Sequence, residues 1–371
     1  MLGAGTGIKI FLAFGSGQAR CVPVRPPSAG IATSAAAPAV SFGSDVIRHN
    51  PMLNVFFTVD VEIWCDGWKN IDEKFPGAFR KYIYGATSKG NFGLPYQIDV
   101  LRSHGLTGVF FVEPIFSARF GPAPLAEIVG LVLDGGQELQ LHVHTEWVDE
   151  SRQPLLNGVH SKRQHLRYFT VEEQTILIGK GARLLRQAGT SDINAFRAGS
   201  FAFNQDTLHA LAANGIAFDS SYNASLFGLD SGVMPGSTLV APIEYAGVFE
   251  YPMTVFNDGT RSLRHAQLTS CSYFELEGLL WQALECGRSS FVILSHSFEL
   301  LNQAKDRPDD VVVKRFRRLC SFLDKNRDSF CVRGFRDLQP QLTQRQPAPL
   351  VSPIWKTGAR TIEQAYRWKY G

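Results

Sequence analysis

The sequence predicts an α/β fold in which parallel strands close, or nearly close, into a barrel. Seven short, apolar, β-rich runs recur along the chain, and helical patterns that stop at a glycine precede many of them. Glycine just past the last helical residue is the usual end of a helix. A repeat of helix, glycine and strand indicates parallel strands joined by crossover helices. Reactive groups in such barrels lie at the carboxyl ends of the strands, so candidate site residues are sought there.

The predicted elements follow one another in a regular order. The strands are NVFFTVDVEIW, GVFFVEPIF, ELQLHVH, AFRAGSF, IAFDSSY, VFEYPMTVF and FVILSHSFEL. The helical segments are YQIDVLRSHG, LAEIVGLVLDGG, IGKGARLLRQAG, TLHALAANG and LLWQALECG. An insert at residues 65–93 separates the first strand from the first of these helices, and we expect it to overhang the mouth of the barrel and to shape specificity.

Three regions differ in composition. Residues 1–50 are rich in Pro, Ala, Ser and Gly without periodicity, which predicts a flexible leader. Residues 51–338 hold the barrel pattern. Residues 339–371 form a Pro- and Gln-rich tail that closes with the short amphipathic segment RTIEQAYRWKYG. We expect that segment to dock on its own domain rather than on a partner.

Composition excludes several classes of function. The chain has 371 residues and a net charge of +3, which is too mild to indicate a nucleic-acid partner. Its basic run KRFRRL, residues 314–319, is interpreted as a solvated helix face. No stretch approaches the length of a membrane span, and the apolar core at residues 8–14 is too short for a signal peptide. A cytoplasmic location is therefore expected.

The cysteine pattern agrees with the expected cytoplasmic location. The chain has six, and none is in a Cys-x-x-Cys spacing. This pattern argues against a thiolate metal site and against a disulfide scaffold, and it favours a reducing compartment.

Two carboxylates stand two residues apart at the end of the first strand. Because side chains alternate along a strand, Thr58, Asp60 and Glu62 share one face. Like charges this close are tolerated where a cation, an arginine or a shared proton offsets their repulsion. A solvated strand end is the alternative interpretation.

The third strand carries a polar row. In ELQLHVHTEW, Glu138, Gln140, His142 and His144 share the face opposite the leucines. A polar row on a buried strand is costly unless something binds there. One histidine is usually structural, but two on one strand face are better explained as metal ligands.

Two further strands add an arginine and an imidazole. Arg197 lies in FRAGSF, and His296 lies in ILSHSFE with Glu299 close behind. Taken singly, Arg197 could be an ion-pair partner and His296 a core histidine. Their convergence with the carboxylates and histidines at strand ends fits a metal-assisted hydrolase. In such an enzyme the ion polarises a carbonyl and activates water, while an acid and a base move protons.

The ordered set of motifs resembles a known family. FFTVDVE, GVFFVEP, GGQELQLHVHTEW, FRAGSFAFN, FDSSY and ILSHSFE look like the polysaccharide deacetylase family, the NodB-homology domain of the fourth carbohydrate esterase family. The match spans about residues 53–338. The resemblance implies a deformed (β/α)7 barrel and a divalent metal, usually zinc. It also implies hydrolysis of an N-acetyl, sometimes O-acetyl, group on an N-acetylated oligo- or polysaccharide.

The resemblance also assigns roles by position. Asp60 matches the catalytic base, and Glu62 matches the metal-binding acid of members that space their carboxylates by one residue. His142 matches the first metal histidine. Arg197 matches the arginine that orients and tunes the base, and His296 matches the general acid that protonates the leaving amine.

Two positions depart from the family pattern. The second family histidine lies four residues after the first, and here that position is Glu146. His144 is the chemical substitute, so the third protein ligand is either Glu146 by position or His144 by chemistry. The arginine motif normally carries a proline two residues on, where this chain has Gly199.

Other functions remain open from sequence. Hydrolysis of another linear amide or C–N bond is compatible with the barrel, because one fold hosts many substrates. A catalytically inactive barrel that binds glycans is the non-enzymatic alternative. Trp64, Trp68 and Trp147, near the strand ends, are candidates for stacking on sugar rings.

Overall fold

A computed structural model describes residues 52–158, 162–343 and 345–370, so the predicted leader lies outside the described residues. The strands are β1 Leu53–Val61, β2 Ala86–Thr87, β3 Gly90–Asn91, β4 Val109–Val112, β5 Glu138–Val143, β6 Ala195–Ala198, β7 Phe218–Asp219, β8 Ile243–Tyr245, β9 Val248–Glu250, β10 Val255–Asn257, β11 Leu263–His265, β12 Ser290–His296, β13 Phe330–Val332 and β14 Leu350–Val351. The α-helices are α1 Ile71–Phe79, α2 Leu94–Ser103, α3 Ser117–Phe120, α4 Pro122–Asp134, α5 Val171–Gln187, α6 Gln205–Ala213, α7 Tyr273–Glu285, α8 Asp310–Lys325 and α9 Ile354–Tyr370.

The main sheet is a curled half-barrel with helices packed around it, and it confirms the predicted fold class. Its strand order is β12-β1-β4-β5-β6-β7-β9-β8, and β13 pairs with the start of β1. The seven predicted runs supply β1, β4, β5, β6, β7, β9 and β12, and all of these are parallel neighbours. Among the described residues the sheet does not close, because β8 is an antiparallel edge strand.

Buried apolar side chains explain the strands, and local signals explain the helices. Alternate residues of β1, such as Val55, Phe57 and Val59, are fully buried in the core under the helices. Helix α5 begins with a capping box in which Thr170 and Glu173 each bond the other's backbone N–H. The five predicted helices end one or two residues before a glycine, as expected.

Two local predictions are wrong. The run VFEYPMTVF is not one strand, because Tyr251 to Thr254 interrupt it and β10 joins a second sheet with β11 and β14. The basic run on α8 is not wholly solvated. Arg315 is buried, and it donates to the carbonyl oxygen of Leu268 and to Glu363 on α9.

The tail packs on the body. Strand β14 pairs with β10, and Arg360 of α9 donates to Glu275 at 2.9 Å and to Asp258 at 3.1 Å. These three charged side chains are almost fully buried, so the last helix is anchored by ion pairs. None of the helices in the described ranges is both long and apolar enough to cross a membrane, and the cytoplasmic location stays a prediction.

Candidate metal centre and active site

Strand register brings the predicted residues to one level of the sheet. Asp60 on β1 is the register partner of His296 on β12, and His142 on β5 is the partner of Arg197 on β6. Because all of these strands are parallel, their carboxyl ends meet at one edge. Glu62 follows the last residue of β1 and completes the group.

The polar row on β5 divides into two parts. Glu138 accepts the backbone N–H of Phe335 at 2.7 Å, and Gln140 accepts that of Ala195 at 2.8 Å. These two side chains therefore satisfy backbone groups and are structural. His142 and His144, at the strand end, lie in a different environment, beside Glu62.

Both histidines turn toward Glu62. Its Oε1 lies 3.3 Å from Nε2 of His142 and 3.1 Å from Nε2 of His144. Ligand atoms of these three side chains all lie within 4.8 Å of one another, and all three residues are buried. A second set, Asp60, Glu62 and His296, shares Glu62, so the two sets describe one centre.

A second contact fixes each imidazole. His142 donates from Nδ1 to the carbonyl oxygen of Arg197 at 2.8 Å, and His144 donates from Nδ1 to Oε2 of Glu146 at 3.1 Å. In these tautomers both Nε2 atoms carry a lone pair directed at the Glu62 carboxylate. Three acceptors facing one another require a cation or a proton between them. The pairing of Glu146 with His144 is the carboxylate–histidine arrangement that supports metal-binding imidazoles.

The pKa values of Glu62 and His144 are both shifted by their mutual attraction. Burial raises the pKa of Glu62, but the imidazoles of His144 and His142 outweigh it and hold that pKa well below its ordinary value. Burial lowers the pKa of His144, but Glu62 and Glu146 raise it well above its ordinary value. The two shifts together favour a positive charge beside Glu62. The donor set of two imidazoles and a carboxylate is one that zinc accepts.

Gly199 makes room for His144. A Cβ at position 199 would lie 2.7 Å from Nδ1 and 2.8 Å from Cγ of the His144 ring. Real Cβ atoms do not approach a ring this closely, so a residue without a side chain is required if the ring keeps its position. The departure at Gly199 and the departure at His144 are therefore physically linked.

Asp60 and Arg197 form a buried ion pair. Nη1 of Arg197 donates to Oδ1 of Asp60 at 2.7 Å and to the hydroxyl of Thr58 at 2.8 Å. The rest of the guanidinium donates to the carbonyl oxygen and hydroxyl of Ser220, both at 3.0 Å. A guanidinium held on three sides fixes the orientation of the carboxylate it binds. The arginine lies beside Asp60 as the sequence predicts.

His296 lies beside Asp60 on the neighbouring strand, and ligand atoms of Asp60, Glu62 and His296 all lie within 4.8 Å of one another. Its Nδ1 donates to Oε1 of Glu299 at 2.8 Å, and its Nε2 lies 3.8 Å from Oε1 of Glu62. Burial lowers its pKa, but Glu299 and Glu62 outweigh burial and raise the pKa to about 9. The side chain is 20% exposed, which makes it the most accessible member of the group.

One sugar-stacking candidate is excluded. Trp147 is 1% exposed and packs edge-on against Trp68, Phe116 and Phe120, so it belongs to the core. Trp64 is partly buried and donates from Nε1 to Oε2 of Glu62 at 2.7 Å. It therefore orients the central carboxylate.

Sequence reasoning missed a buried pair of carboxyl groups behind Arg197. Asp219 on β7 and Glu250 on β9 are register partners, and both are fully buried. Burial raises the pKa of each, and the neighbouring Asp219 adds to the rise at Glu250. Both shifts favour a protonated carboxyl within the pair. The motif FDSSY, with an acid at a strand end, was the available signal.

The raised carboxyl pKa values predict a pH-dependent stability. Between the ordinary carboxyl pKa and the raised one, the folded state binds more protons than the unfolded state, so the free energy of unfolding falls as pH rises. Glu250→Gln keeps an acceptor for the N–H of Tyr222 and supplies a donor for Asp219. We expect the variant to be more stable than the wild type at pH 8, and the difference in the free energy of unfolding to shrink as the pH falls toward 5.

Urea unfolding of the wild type and variant between pH 5 and 8 measures this effect. Glu244→Gln, at an exposed position on β8, is the control and should follow the wild type. Equal pH slopes for the wild type and Glu250→Gln would show that the pair does not hold a proton.

Comparison with known proteins identifies the architecture. Neither the family models nor the curated proteins give a match. A crystal structure from Mycobacterium smegmatis, described as a "putative polysaccharide deacetylase", matches with a TM-score of 0.51 and 17% identity, over 84% of this chain and 99% of that one. The chain has the polysaccharide deacetylase fold. An identity this low establishes the fold alone.

Two further solved structures are similar at lower scores. One is a family 4 carbohydrate esterase from Streptomyces lividans in complex with acetate, with a TM-score of 0.35 and 12% identity over 76% of this chain and 91% of that one. The other is a CE4 family pseudoenzyme from Bacillus anthracis, with a TM-score of 0.37 and 12% identity over 76% of this chain and 64% of that one. The expected polysaccharide deacetylase fold is confirmed, and the roles of its site residues stay predictions.

Proposed function

We propose that the protein is a metal-dependent hydrolase that removes the N-acetyl group, or by the same chemistry an O-acetyl group, from an amino-sugar glycan. The observation that carries the proposal is the centre itself. Two buried imidazoles and Glu62 converge, and Asp60 with its arginine and His296 with its carboxylate lie next to them. This arrangement gives a cation site both a candidate proton acceptor and a candidate proton donor.

Glu62, His142 and His144 are the residues that would hold the ion. Their chemistry favours zinc, and a site with three protein ligands leaves a position for substrate. A divalent ion bound there supplies Lewis-acid polarisation of the acetyl carbonyl and acidifies water. Glu146 is assigned as the residue that orients His144, because it contacts Nδ1 on the far side of that ring.

Asp60 is assigned as the general base. Arg197 holds its Oδ1, so Oδ2 is the oxygen that accepts the proton of the attacking water. Because Arg197 is fully buried and bonded to Thr58 and Ser220, it keeps the carboxylate in place. The arginine is a positioning residue and does not touch the substrate.

His296 is assigned as the general acid. Its Nδ1 donates to Glu299, whose negative charge favours the protonated form of the ring. That proton is available for the amine nitrogen, which must be protonated before it leaves as a neutral group. His296 is the most accessible of these side chains at 20% exposed, which supports its assignment as the group that meets the leaving amine.

Acetate release from oligomers of N-acetylglucosamine tests the function. The full chain, purified and supplied with zinc, should release acetate, lose that activity with a chelator and regain it on zinc addition. Parallel reactions with an O-acetylated sugar and a simple linear amide show which of the three bond types the enzyme hydrolyses. Binding of the oligomers without acetate release would favour the inactive glycan-binding barrel, and neither binding nor release would overturn both readings.

A further inference from the structure

A cavity of about 1240 Å³ lies between His296 of the candidate centre and the end of the tail helix. His296 and Phe298 belong to its lining, and so do Gln364, Arg367 and Trp368 of α9. Pockets for small ligands commonly occupy about 300–1,000 Å³. The space beside His296 therefore exceeds what one acetylated sugar requires.

The part of the cavity lining that α9 contributes is held in place. Arg367 donates from Nε to Asp309 at 2.7 Å and from Nη1 to the carbonyl oxygen of Thr269 at 2.9 Å. Asp309 also caps α8 by accepting the N–H groups of Val311 and Val312. These contacts tie the end of α9 to two other elements, so the last turn of the tail helix is positioned for binding.

The insert at residues 65–93 contributes the neighbouring wall. Ser88, in its short hairpin, lines the cavity, and Tyr82 packs edge-on against Phe298 with ring centroids 5.1 Å apart. The expectation that this insert shapes the mouth agrees with these contacts.

The lining is balanced in charge and rich in neutral hydrogen-bonding groups. Apart from His296, the described lining carries three basic residues, Lys305, Arg307 and Arg367, and three acidic residues, Glu299, Asp306 and Asp309. The neutral polar residues include Gln267, Asn302, Gln303 and Gln364. Balanced charge gives no preference for a polyanion, whereas amide side chains suit hydroxyl and acetamide groups.

Trp368, in the cavity lining, is unusually exposed. Its side chain is 88% exposed, although most tryptophans are largely buried. A large, flat, exposed ring beside a polar cavity offers a surface for the apolar face of a sugar ring. Phe298 supplies a second ring to the lining, in contact with the ring of His296.

We propose that this cavity binds an extended, uncharged N-acetylated glycan, and that Trp368 is a specificity-determining residue that stacks on a sugar remote from the acetyl group being removed. The inference rests on the proposed function and deepens it. It assigns the tail helix, which lies outside the barrel pattern of residues 51–338, to substrate binding.

Chain-length dependence of acetate release tests the proposal. With the zinc-loaded full chain, KM for a hexamer of N-acetylglucosamine should be lower than KM for the dimer. Trp368→Ala should raise KM for the hexamer by about tenfold, the usual cost of truncating a tryptophan anchor, and leave kcat unchanged. Kinetics with the dimer should not change. Trp355→Ala, at a 64% exposed position on the same helix but outside the cavity lining, should behave as the wild type with both substrates.

Three outcomes separate this inference from the proposed function. If Trp368→Ala raises KM equally for the dimer and the hexamer, or for neither, Trp368 does not stack on a remote sugar. The proposed deacetylase function is unaffected by that result. If the wild type releases no acetate at any length, the proposed function fails, and calorimetric titration with the hexamer replaces kinetics. Hexamer binding that weakens in Trp368→Ala but not in Trp355→Ala would then support the glycan cavity, and unchanged binding would overturn it.

Discussion

Asp60→Asn is expected to lower kcat for acetate release by about 10²–10⁴-fold, the usual contribution of a positioned general base, while the bound metal is retained. Asparagine keeps an oxygen that can accept from Arg197 at the position of Oδ1, but its amide group cannot take a proton from water. Because Asp60 is not one of the three residues assigned to hold the ion, metal content should stay near that of the wild type.

Steady-state kinetics and elemental analysis of the same preparation measure the two quantities. Asp99→Asn, at an exposed carboxylate on α2, is the matched control and should change neither. Retained turnover in Asp60→Asn would remove Asp60 from the mechanism. Loss of the metal together with turnover would instead make Asp60 a ligand, as the second grouping of Asp60, Glu62 and His296 allows.

His144→Ala is expected to abolish tight metal binding, whereas Glu146→Gln should weaken it by about 10–100-fold. The structure motivates the difference. His144 directs Nε2 at Glu62, 3.1 Å away, while Glu146 contacts the opposite nitrogen of the same ring. Glutamine keeps an acceptor for that ring but loses the negative charge.

Elemental analysis and competition with a chelator of known affinity distinguish the two variants. His209→Ala, an exposed histidine on α6, controls for loss of an imidazole alone. Complete metal loss in Glu146→Gln with retention in His144→Ala would reverse the assignment and make Glu146 the third ligand, as the family position implies.

The sequence predicted what parallel strands dictate. Alternation along β1 and β5 placed Asp60 with Glu62 and His142 with His144, and the common polarity of the strands brought Arg197 and His296 to the same edge. These inferences need only local periodicity and one topological rule.

Features that depend on three-dimensional neighbours were not predictable in this way. The role of Glu146 follows from which ring nitrogen it meets. The raised pKa values of Asp219 and Glu250 follow from their burial and from their register on adjacent strands. Trp147 and Arg315 were misjudged because their burial depends on elements remote in sequence that pack over them. Periodicity cannot report such packing.

The contact between Gly199 and His144 constrains how this centre arose. If the third ligand moved from the fourth to the second position after His142, the ring came to occupy space that any Cβ at position 199 would fill. Neither change is useful alone, because a histidine with a bulkier neighbour would clash and a glycine without that histidine would leave a gap. The two positions should therefore change together across descendants. A search that pairs His-x-His after one strand with Arg-x-Gly after the next should recover relatives that a search for two histidines four residues apart would overlook.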